Sequence, residues 1–201
     1  MAGTITRVGT CARRLAQVGI KAAGVTLSWS ASLAPIAPSL DRTNFHGRTV
    51  SLRGGVGGAA GALKIAVIGS GALVGGVLLA RDRSAAAGGR ALATSAIDAA
   101  SSAVVIASWA NLLNLLDLRP GRALKTASIV SAPLLATPGR DGEPTRLLAA
   151  GTLGVSLIAL PEDLLENTML GDTGANAVGA LLGTALACHP SRAVRAGAAL
   201  S

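Results

Sequence analysis

Asn111, Asn114 and Asp117 recur at intervals of three in Asn-Leu-Leu-Asn-Leu-Leu-Asp, where a long uncharged run ends. On a helix such residues project from one face, each one turn above the last. Amide and carboxylate oxygens on a single stripe suit a hard cation. Arg119, Arg122 and Lys125 follow at once, and Pro120-Gly121 breaks the helix beside the stripe. Their guanidinium and ammonium groups suit phosphate, which makes them candidate phosphate contacts. The plainer reading is that Asn111, Asn114 and Asp117 cap a helix and touch lipid headgroups.

A second stretch answers the first. Glu162 to Asn176 reads Glu-Asp-Leu-Leu-Glu-Asn-Thr-Met-Leu-Gly-Asp-Thr-Gly-Ala-Asn, with Asp172 between Gly171 and Gly174 at the mouth of another uncharged run. Glycines there let backbone approach a ligand. An acid at a helix start is also favoured by the helix dipole, so Asp172 is either an N-cap or a metal ligand.

The elements that position these residues are apolar helices. Uncharged runs occupy 65–80, 99–116, 126–139, 147–161 and 173–191, and a further one, 22–40, follows a basic start with Arg7, Arg13, Arg14 and Lys21. Each is close to or slightly under the roughly 20 residues that span a bilayer. The first is read as an uncleaved helix in preference to a signal peptide. The expected fold is all-α, a single polytopic transmembrane domain over residues 1–201 with about six helices. Pro133 and Pro138 make 126–139 the least secure span. Alternating passes put polar loops 41–53, 117–125 and 162–172 on one side and 81–98 and 140–146 on the other. The three motif-bearing loops thus fall together. Residues 192–201 are expected to be a short tail.

Composition agrees with a membrane protein. Half of the 201 residues are hydrophobic, only 14% are charged, and the mean hydropathy is +0.54, whereas about a quarter of a soluble domain is charged. Aromatic residues for an interfacial belt are nearly absent, but Gly71/Gly75 and Gly179/Gly183 have the spacing of close helix contacts. A net charge of +8 is scattered between apolar runs with few aromatics to stack on bases, which points to a membrane surface or phosphate and away from nucleic acid. Cys11 and Cys188 read as small apolar residues, and His46 and His189 are isolated, without zinc-ligand spacing.

Asn111-x-x-Asn114-x-x-Asp117, followed by Met169-Leu170-Gly171-Asp172-Thr173-Gly174-Ala175-Asn176 and a glycine-spaced helix, resembles the polyprenyl-phosphate N-acetylhexosamine-1-phosphate transferases, the family that includes phospho-MurNAc-pentapeptide transferase. Asn44 to Gly55 and Arg119 to Lys125 look like an actinobacterial branch of it, and the similarity spans most of residues 41–190. The resemblance implies a shortened member in the cell membrane, with its active face cytoplasmic, moving a sugar 1-phosphate from a UDP-sugar to polyprenyl phosphate in cell-envelope glycan synthesis and releasing UMP. It implies magnesium on Asp172, with Asp117 positioning or activating the lipid phosphate and Asn111 and Asn114 supporting the site. Membrane lipid is the surrounding partner, and a homodimer is left open.

The chain departs from that family in lacking adjacent aspartates, where relatives carry an Asp-Asp pair, and Asp82 between two arginines is a poor substitute. Pro120 stands where relatives often have a second Asp. Three readings therefore stay open: an active transferase, a non-catalytic relative that binds lipid phosphate or nucleotide, and a structural helical membrane protein.

Overall fold

The structure is a computed structural model and describes residues 41–43, 47–52 and 90–200, with scattered positions between 17 and 60; for 90–99 only the backbone is described. The run at 65–80, the Gly71/Gly75 pair, Asp82, Cys11 and His46 lie outside the described residues, which are mostly helical.

Helix α1 (Arg90–Leu116) has 27 residues and no internal glycine or proline. Its first nine residues fall in the expected loop 81–98, because the Ala- and Leu-rich segment after Gly89 favours helix despite carrying Asp98. A turn leads to α2 (Arg122–Leu134), only 13 residues long, or about 20 Å. The run 126–139 is thus not one continuous helix: the chain leaves the helix at Leu135, past Pro133, and turns through Thr137.

The next helix, α3 (Glu143–Leu164), starts with Pro144 in its first turn, where the missing N–H costs nothing. Among the described residues it is the one helix long and apolar enough to cross a membrane. It is followed by α4 (Gly171–Ala187) and by α5 (Arg192–Ala199). The latter lies within the expected tail at 192–201. Its Ala-rich sequence forms two turns that Trp109 anchors, the indole Nε1–H donating to Ala198 O at 3.1 Å.

Helix α4 is central. It packs most extensively on α1 and also contacts α2, α3 and α5, while α2 lies chiefly on α3. Leu113, Leu124, Leu148, Val155, Val178 and Leu182 fill the space between them and are almost completely buried. Gly179 and Gly183 face α1 at close range: a Cβ on Gly179 would meet Trp109 O at 2.5 Å, and one on Gly183 would meet Ile106 Cα at 2.8 Å. The Gly179/Gly183 spacing read from sequence is therefore a real helix contact. Thr152, Thr184 and Ser128 return their hydroxyls to carbonyls four residues back, which satisfies them without leaving an apolar helix surface.

The expected polar loop 41–53 contains a small hairpin of β1 (Asp41–Thr43) and β2 (Thr49–Ser51), paired antiparallel with Arg42 opposite Val50. β-Branched Thr43, Thr49 and Val50 favour the strands, and Gly47 takes the left-handed conformation at φ 74° in the turn. Ser51 bridges Thr168 in parallel: its N–H donates to Asn167 O at 3.2 Å and its carbonyl accepts from Met169 N–H at 3.0 Å. The hairpin is thereby tied to the segment joining α3 to α4.

Candidate functional site

The end of α1, the start of α2, the end of α3 and the start of α4 meet at one end of the bundle, and two aspartates join them crosswise. Asp117, just beyond α1, continues its backbone pattern by donating to Leu113 O at 3.0 Å. Its Oδ2 accepts from Gly171 N–H, the first residue of α4, at 2.8 Å. Asp163, in the last turn of α3, accepts through Oδ2 from Gly121 N–H at 2.5 Å, immediately before α2. Each acid meets a helix start, where unpaired N–H groups and the dipole favour negative charge. Both donor turns need glycine, with φ 73° at Gly121 and 59° at Gly171.

Asp172 is not the N-cap that one reading of its sequence made it. It is the second residue of α4, and Leu170, whose side chain makes no capping bond, occupies the cap position. The bond from Asp117 supplies the first N–H of α4 instead, which leaves the exposed Asp172 carboxylate without a capping duty. Its backbone carbonyl accepts from Asn176 Nδ2–H at 2.8 Å.

A cavity of about 460 Å³ opens between these turns and the hairpin. Asn114, Asp117, Arg119, Asp163, Glu166 and Asp172 contribute its polar lining, with Thr43 and Val50 of the hairpin as part of the opposite wall. Of the residues singled out in sequence, Asn114, Asp117, Arg119 and Asp172 therefore meet at one place. Asn111 is exposed one turn back on α1, and Arg122 and Lys125 are exposed on α2; none of the three lines the cavity.

Burial pushes the Asp117 carboxyl up from 3.8 to about 7. The neighbouring charge of Asp163 pushes the same way, the Gly171 bond opposes it, and Asp172 adds a smaller upward push. At neutral pH Asp117 is thus poised between holding and releasing a proton. Glu166 stands on the rim in the left-handed region at φ 56°, 3.6 Å from Arg48 Nη1 of the hairpin turn. Such a conformation is costly for a side-chain-bearing residue.

The sequence motifs assign no role to Asp163 or Glu166. The signal for Asp163 is its place next to Glu162, which closes the 147–161 run much as Asp117 closes 99–116.

Among the described residues no three His, Cys, Asp or Glu side chains gather as a group that could hold a metal. Magnesium, however, keeps several waters and takes one or two carboxylates together with substrate phosphates. The exposed Asp172 carboxylate and the neighbouring Asp117 match that donor set. No protein-family model, curated protein or solved structure matches this chain. Fold and cavity together define a helical protein with an acid-lined cavity, edged by arginine, at one end of its bundle.

Proposed function

We propose that this chain is a multi-pass membrane protein whose cavity, on the cytoplasmic face, transfers a sugar 1-phosphate from a UDP-sugar to polyprenyl phosphate. The observation that carries the reading is the meeting of Asn114, Asp117, Arg119 and Asp172 in one cavity. The two motifs that bear the family resemblance supply Asn114, Asp117 and Asp172. Large apolar side chains exposed beside the cavity, Leu118, Leu164 and Leu165, suit a mouth at the edge of a lipid layer.

In the reaction, an oxygen of the lipid phosphate attacks the β-phosphorus of the UDP-sugar. The bond from that phosphorus to the bridging oxygen breaks, and the bridging oxygen leaves on UMP. Asp117 takes a proton from the lipid phosphate on Oδ1, the oxygen that Gly171 does not engage, which exposes the attacking oxygen. Arg119 binds the diphosphate, and the Asn114 amide orients one of its oxygens. Asp172 would hold magnesium, which when bound offsets the negative charge shifting between the phosphates.

The test is UMP release by the purified chain in lipid nanodiscs given UDP-N-acetylhexosamines, polyprenyl phosphate and magnesium. Release that Asp172→Asn abolishes is expected, and no release with any of these sugars overturns catalysis. A second reading, a non-catalytic binder of lipid phosphate or nucleotide, is favoured by the engagement of one oxygen each of Asp117 and Asp163 at a helix start. Saturable binding of magnesium-UDP without UMP release establishes that reading instead.

A further inference from the structure

Arg119 is exposed, yet it lines the cavity from a turn of only a few residues. What fixes that turn comes from α3. Asp163 is 5% exposed and receives the Gly121 N–H at 2.5 Å. Its neighbour Leu164 packs so closely on Gly121 that an added Cβ would stand 2.5 Å from Leu164 Cδ2. Two consecutive residues of α3 thus clamp one glycine, one through a charge-assisted bond and one through contact. Along the turn itself, Arg122 N–H donates to Arg119 O at 3.3 Å, a long bond.

We propose that Asp163 is a positioning residue of the cavity, holding the Arg119-Pro120-Gly121 turn so that the Arg119 guanidinium faces a bound diphosphate. This rests on the reading of the cavity as a phosphate site, though not on turnover. Asp163 acts through the turn, so its contribution to affinity vanishes once Arg119 is gone. A purely structural acid would lower stability and weaken binding to the same degree with or without Arg119.

The experiment is a double-mutant cycle on the full chain in nanodiscs, with magnesium-UDP as the probe and calorimetric affinity as the readout. Asp163→Asn and Arg119→Ala are each expected to weaken binding about tenfold, and the double variant about tenfold in total where independent effects would multiply to about a hundredfold. Should Asp163→Asn fail to fold, Asp163→Glu, which keeps the charge but displaces the acceptor, enters the same cycle with the same expectation. Binding unchanged by the substitution at 163, or losses that multiply in full, overturns the proposal while the phosphate-site reading stands. A wild-type chain that binds no magnesium-UDP overturns both.

Discussion

Asp117 carries two duties that pull in opposite directions, accepting a backbone N–H as an anion and being held near neutrality by burial. Its folded-state pKa of about 7 lies above the ordinary 3.8, so the folded chain keeps a proton that the unfolded chain has lost. This contribution to stability is complete below pH 4 and fades as pH rises through about 7. In the presence of a chelator, thermal unfolding of the nanodisc-embedded protein is therefore expected to occur at lower temperature as pH rises from 4 to 7. Asp117→Asn should flatten that slope, and an unaltered slope in the variant would assign it elsewhere. Asp117, Asn114 and Asp172 were legible in sequence because polar groups at the ends of uncharged runs stand out. The capping role of Asp163 was not, because its partner is a backbone N–H 42 residues away, and no spacing of side chains encodes that. Arg122 and Lys125 looked like phosphate contacts by proximity in sequence, but the turn at Gly121 starts a helix that carries them along the outside of α2.

At the scale of elements, the α1–α4 contact depends on two missing side chains. A Cβ at position 179 would meet Trp109 O, Ala110 Cα and Ala110 N at 2.5 to 3.0 Å, all backbone atoms that cannot move aside. Gly179→Ala is expected to destabilise the fold by about 2 kcal/mol, read as a lowered melting temperature. Gly197 in α5 has nothing within 4 Å of the same hypothetical atom. Gly197→Ala is accordingly expected to stabilise by roughly 0.5 kcal/mol, since it only removes a helix-interior glycine. If both substitutions cost the same, close approach is not what Gly179 supplies. The spacing of Gly179 and Gly183 announced this contact, whereas the apolar runs gave helix ends poorly. Apolarity does not stop where helices stop, so 126–139 read as one run although the chain turns after Leu134. The hairpin was missed for a different reason: its strands are three residues each and lean on Thr168 through backbone bonds.

For the molecule as a whole, the side chains left outside the bundle are informative. Val104, Ile129 and Leu157 are 52%, 72% and 58% exposed on three different helices, side chains that a lipid layer would cover. Carbonate washing of membranes is expected to leave the chain in the pellet, and its release would replace the transmembrane reading with a soluble bundle. In a background with Cys11 and Cys188 changed to serine, Arg122→Cys and Asp172→Cys should react with an impermeant thiol reagent from one side of the membrane and Asp141→Cys from the other. Reaction of positions 122 and 172 from opposite sides would contradict their place at one end of the bundle. The indole of Trp109 is 7% exposed and bonded to α5, while Trp29, the chain's second tryptophan, is 51% exposed. Replacing Trp29 by phenylalanine thus leaves one fluorophore, whose emission colour reports whether the last helix is seated. The chain carries an internal optical gauge of its own C-terminal closure, readable without any attached dye.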